Sequence, residues 1–145
     1  MTRLLLLFAL SSLGLIACAT PAASEIERLQ RARAADVAFK SGDVARAKRL
    51  YRTLAQERRG AENAHVRLGA IAYRQGERAL AKQHFEQALK ANAAYAPAAY
   101  NLAILSLDQS IDYLQRYVEH TNPGADRDRV IELMRELEQF ARTSR

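Results

Sequence analysis

From Ser24 onward apolar residues recur every three or four positions, the spacing of one face of an α-helix. No run alternates β-branched and polar residues as a half-buried strand would. The pattern predicts helices over 24–40, 43–58, 62–75, 77–91, 96–107 and 109–121, and a last one over 125–142 beyond the Asn122-Pro123-Gly124 break. Ser24 with Glu27 three residues on has the form of a capping box, which would satisfy free amides at a helix start. Gly42 and Gly76 fall between paired helices, where a positive φ is often required. In the last helix Val130, Leu133, Met134, Leu137 and Phe140 share one face, opposite Arg127, Asp128, Glu132, Arg135, Glu136 and Glu138. Such a stripe suits a terminal cap over an otherwise open helical array, or a helix that binds a partner. An abundance of Ala, Leu and Arg with only 3 Pro and 6 Gly agrees with an all-α chain.

The helices repeat. Sliding the chain by 34 residues lays Val37-Ala38-Phe39-Lys40-Ser41-Gly42-Asp43-Val44-Ala45-Arg46-Ala47-Lys48 over Ile71-Ala72-Tyr73-Arg74-Gln75-Gly76-Glu77-Arg78-Ala79-Leu80-Ala81-Lys82, with five of twelve positions identical and four conservative. The match extends to Tyr51 over Phe85 and Arg33 over Arg67, and forward to Leu68-Gly69 over Leu102-Ala103.

This period and its residues resemble the tetratricopeptide repeat. The second copy carries Leu68-Gly69, Ala81 and Phe85, the first Ala47 and Tyr51, and the third opens with Tyr100-Asn101-Leu102-Ala103. The resemblance implies an α-solenoid of about three helix-turn-helix repeats, near 28–61, 62–95 and 96–121 within residues 24–121, closed by a capping helix over 125–142. Gly69, Ala72 and Ala81 would let paired helices approach closely, and Tyr51 and Phe85 would fill the gap between one hairpin and the next. No copy has the family's tryptophan, and its closing proline is absent from the first two copies. The third copy is about five residues short around Leu107-Asp108-Gln109-Ser110, so a tight turn is expected there.

The chain's start carries a different signal. Thr2-Arg3 precedes an apolar run from Leu4 to Ile16, too short for a stable membrane span of ~20 residues but suited to a signal-peptide core. It ends in Leu15-Ile16-Ala17-Cys18, which resembles the lipobox of bacterial lipoprotein precursors. The resemblance implies that residues 1–17 are cleaved and that the Cys18 thiol takes diacylglycerol, with 18–23 as lipidated cysteine and tether. Five tether residues reach at most ~18 Å. Ala19, where inner-membrane lipoproteins tend to have Asp, implies the outer membrane and its periplasmic face. Cys18 is the only cysteine, so the chain can form no internal disulfide and no thiol metal cluster.

Charge is uneven. Residues 28–90 hold 15 Lys and Arg against 6 Asp and Glu, whereas 91–145 hold 6 against 8. The most basic stretch, with Arg46, Arg49 and Arg52, would face anionic headgroups or an acidic partner, or simply be solvated. Nucleic acid is not an expected partner of an exported protein.

Catalytic motifs are absent from the sequence: no GxSxG, no phosphate-binding loop, no HExxH, and His65, His84 and His120 stand far apart. We therefore expect no enzyme, metal or cofactor beyond the lipid on Cys18. In tetratricopeptide proteins the first helix of each pair lines a groove for a peptide, which here points to Arg33, Lys40, Arg67, Tyr73, Arg74 and Asn101. Arginine beside an aromatic suits a carboxylate-bearing segment, although Phe39 and Tyr73 could equally pack between helices and the arginines could simply be solvated. The resulting expectation is a lipid-anchored adaptor that binds other envelope proteins and assists assembly of a pilus, secretion or cell-wall complex. The rival readings are a purely structural envelope protein and an envelope enzyme.

Overall fold

The structure, a computed structural model, describes residues 21–143. Cys18 and residues 1–17, the expected signal peptide, lie outside these residues. Six helices follow one another: α1 (Pro21–Lys40), α2 (Val44–Ala55), α3 (Ala61–Arg74), α4 (Arg78–Ala91), α5 (Ala96–His120) and α6 (Ala125–Thr143). No strand occurs among the described residues. Each helix packs on the next, and α3 also touches α5. Connections of three to five residues leave neighbours no choice but to run antiparallel.

The first two hairpins repeat in atomic detail. Lys40 and Arg74 end α1 and α3, and Val44 and Arg78 begin α2 and α4. Between them Gly42 has φ +81° and Gly76 φ +77°, the left-handed conformation that lets the chain reverse without a Cβ clash. The Val44 amide donates to the Gly42 carbonyl at 2.8 Å, and the Arg78 amide to Gly76 at 2.9 Å. One residue on, the Asp43 and Glu77 carbonyls accept from Ala47 and Ala81 at 2.9 Å each. Only the first turn adds a side-chain cap, from the Arg46 amide to Asp43 Oδ1 at 3.0 Å.

Two clusters form the core. One joins α1, α2 and α3 through Ala35, Ala38, Ala47, Tyr51, Leu54, Ala64, Leu68 and Ile71. The other joins α3, α4 and α5 through Ala72, Ala81, Phe85 and Leu105. Tyr51 and Phe85 thus each tie a hairpin to the helix that follows it, and the alanines around them set the close spacing. Gly69 is part of the same fit: a Cβ there would stand 2.5 Å from Phe85 Cε1. Gly69→Ala is expected to cost about 1–3 kcal/mol by overpacking, read as a lower urea midpoint with unchanged helix content. A neutral substitution would mean that the ring can swing clear.

Two sequence expectations are corrected. Instead of breaking near 107–110, α5 runs for 25 residues. Leu107-Asp108-Gln109-Ser110 contains no Gly or Pro, Asp108 is buried and accepts a hydrogen bond from Tyr73, and the Ser110 hydroxyl is satisfied by the Ser106 carbonyl at 2.9 Å. The helix expected over 109–121 is therefore the second half of α5, and α6 becomes the helix that pairs with it. At the chain's start, α1 begins at Pro21 rather than Ser24, so Ser24 sits inside the helix and no capping box forms. Residues 21–23 are thus helix rather than tether. The terminal helix expected over 125–142 is α6, which packs on α5 alone. Val130, Met134 and Leu137 are half-buried, while Leu133 and Phe140 of the same stripe stay 45% and 55% exposed.

Candidate binding groove

Positions three, four and seven apart share a helix face, so Arg33, Asp36 and Lys40 form a stripe along α1. Arg33 and Lys40 are exposed and make no ion pair among the described residues. Asp36 accepts the Tyr51 hydroxyl proton at 2.6 Å and pairs with Arg67 Nε at 3.6 Å, which links α1 to both α2 and α3. Burial, then this bond to a carboxylate, pushes the Tyr51 phenol well above its ordinary range, so it remains a donor.

Phe39 combines the two roles weighed for it. It packs half-buried on the first core cluster, and its ring is faced by two cations of α3. The Arg74 guanidinium lies 4.9 Å from the ring centroid and that of Arg67 6.0 Å, within cation–π range. Arg74 is exposed and forms no ion pair among the described residues, whereas Arg67 is half-buried and committed to Asp36.

Beyond Arg74 the surface opens into a cleft of about 570 Å³ between α3 and α5, lined among others by Ala70, Tyr73, Arg74, Tyr100, Asn101 and Ile104. Tyr73 packs on the second cluster and donates its hydroxyl to Asp108 at the cleft floor. The Asn101 amide donates to the Pro97 carbonyl at 2.6 Å, which occupies one of its donors. Tyr73, Arg74 and Asn101 therefore meet in one cleft. Arg67 reaches it only by way of Phe39, and neither Arg33 nor Lys40 lines it.

Sequence reasoning missed the acids that organise this face. Asp36, Asp108 and Asp112 each bind a partner on another helix, Arg78 being the partner of Asp112 and pushed above its usual arginine range by that bond. A signal existed: Arg78 and Asp112 are themselves 34 residues apart, one repeat length. Far apart in the sequence, His65 and His84 are brought side by side by α3 and α4, half-buried against each other. Arg46, Arg49 and Arg52 are all exposed on α2 and take no part in the cleft. Neighbouring Lys48 binds the Gln75 side chain at 3.1 Å.

No protein-family model, curated protein or solved structure matches the chain. Among the described residues no helix is long and apolar enough to cross a membrane.

Proposed function

We propose that the chain is a small lipoprotein of tetratricopeptide type, an adaptor that holds a segment of another envelope protein in the groove of α1, α3 and α5. The observation that carries this reading is the Phe39–Arg74–Tyr73–Asn101 surface, where Arg74, in no ion pair among the described residues, lies over an aromatic ring and lines a cleft. A guanidinium stacked on a ring keeps its planar fork available for bidentate bonding to a carboxylate. The 34-residue register of the two glycine turns supports the repeat assignment. The lipobox supports an outer-membrane anchor at Cys18, facing the periplasm. Since residues 21–23 are already helical, the folded part would follow Cys18 closely in the chain. The groove would then work close against the bilayer. The client belongs to a pilus, secretion or cell-wall assembly, and the chain acts by binding rather than by catalysis.

In-cell crosslinking of the lipidated protein, followed by mass spectrometry, tests the reading. Arg33→Glu with Arg74→Glu should reduce capture of the specific client about tenfold or more, since a charge-assisted hydrogen bond contributes about 1.5–3 kcal/mol. Helical circular dichroism should be unchanged, because neither side chain is in an ion pair. Arg67 is unsuited to this test, as reversing it would also break its pair with Asp36. Equal recovery of the same proteins by the double variant would remove the groove from the account.

A further inference from the structure

The 34-residue register shows what the first helix lacks. Ala64, Leu68 and Ile71 of α3 are each at most 3% exposed, because the α1–α2 hairpin covers them. One repeat earlier the same positions of α1 hold Gln30, Ala34 and Val37. Among the described residues no hairpin covers α1 in this way. Gln30 is exposed, Ala34 is half-buried and Val37 stays 66% exposed. At 100° per residue, Ile26, Leu29, Arg33, Val37 and Lys40 fall within an arc of about 80°, turned away from buried Ala35. All five are exposed, and the two cations form no ion pair among the described residues.

The last helix carries the counterpart. On α6, Glu132, Leu133, Glu136 and Phe140 fall within an arc of about 100°, opposite the half-buried face that packs on α5. Leu133 and Phe140 are exposed, and so are Glu132 and Glu136, which form no ion pair among the described residues. Arg129 shares this arc, but it is bound to Asp126. The balance of charge along the chain runs the same way, with 15 basic against 6 acidic residues over 28–90 and 6 against 8 over 91–145. Two like ends would repel each other, whereas unlike ends attract.

We propose that the outer face of α6 in one chain docks on the outer face of α1 in a second copy, which continues the helical array from chain to chain. The occupant is a second copy because one sequence supplies both halves of the contact, an apolar stripe with two cations and an apolar stripe with two acids. Burying exposed Val37, Leu133 and Phe140 drives association, and the opposite charges set its direction. Such a contact is heterologous, head to tail, so it generates rings or filaments rather than a closed pair. Neither Val37 nor Phe140 lines the cleft between α3 and α5, so the two surfaces can be tested separately.

The test is thiol crosslinking of the purified full-length chain in detergent with a short bismaleimide, in a Cys18→Ser background so that introduced cysteines are the only thiols. Val37→Cys with Phe140→Cys should give a ladder of dimers, trimers and larger bands on a denaturing gel. Either substitution alone should leave monomer, because a head-to-tail contact brings no residue against its own copy. Arg33→Glu with Lys40→Glu should weaken the ladder about threefold or more, the loss expected for two exposed ion pairs. Adding Glu132→Lys with Glu136→Lys should restore it. All these positions are exposed, so circular dichroism should not change. Dimers from a single cysteine would mean a symmetric contact and overturn the proposal. No ladder from the pair would also overturn it, and would give the α1 face to the bilayer or to a client. A ladder indifferent to the charge reversals would show that these two faces do not meet. Client capture through Arg74 is a separate readout, so neither proposal stands or falls with the other.

Discussion

Phe85→Ala should remove about 3–5 kcal/mol of stability, the usual cost of deleting a buried aromatic ring. Phe85 is 1% exposed and lies against Gly69, Ala72, Ala81 and Leu105, so its ring belongs to three helices at once. The alanines and the glycine around it have no side-chain length with which to close the gap, so the cavity would persist rather than collapse. A domain of this size has about 5–15 kcal/mol in total, and the loss would fall on the contact of α3 and α4 with α5. The other cluster, built on Tyr51, does not include Phe85. Urea unfolding followed by circular dichroism should therefore show a much lower midpoint and a shallower or split transition, as the α5–α6 end loosens before α1–α3. A shift below about 1 kcal/mol would show that the ring does not hold α5 in place.

The second large effect concerns attachment. Cys18→Ala should move the protein completely from the membrane to the soluble fraction and abolish incorporation of labelled fatty acid. Each buried CH₂ contributes ~0.8 kcal/mol, so two or more acyl chains anchor a protein stably where one does not. No helix among the described residues could take over by spanning the bilayer. The α2 face with Arg46, Arg49 and Arg52 could add attraction to anionic headgroups worth about 1 kcal/mol per charge near the surface, a contribution that salt screens. Washing at high salt separates the two effects. Membrane association of Cys18→Ala that survives this wash would sink the lipobox reading.

Much of the fold was legible along the chain because it depends on local chemistry. Glycine at 42 and 76 marks the two turns that need a positive φ, and the small residues at 47, 69, 72 and 81 mark where helices approach. The missing third turn was legible only in part. A count against the repeat length showed that residues were lacking near Leu107. That Asp108 would be buried on a helix, with its carboxylate facing Tyr73, required knowing what lay across from it. In the groove, cationic residue types could be read at Arg33, Lys40, Arg67 and Arg74, but their availability could not. Asp36 claims Arg67 and leaves Arg74 to Phe39, a division made by side chains from two different helices, α1 and α3.

By itself, then, the sequence determined that the chain is helical, where the first four helices lie and where the two glycine turns between them fall. These depend on hydrophobic spacing, glycine stereochemistry and short contiguous motifs, each contained within a few residues. Only the tertiary structure decided that α5 runs unbroken and pairs with α6, which cations remain outside ion pairs, and that His65 faces His84. Contacts of this kind join residues 19 to 35 positions apart, and no local pattern encodes a distance that arises only when helices pack.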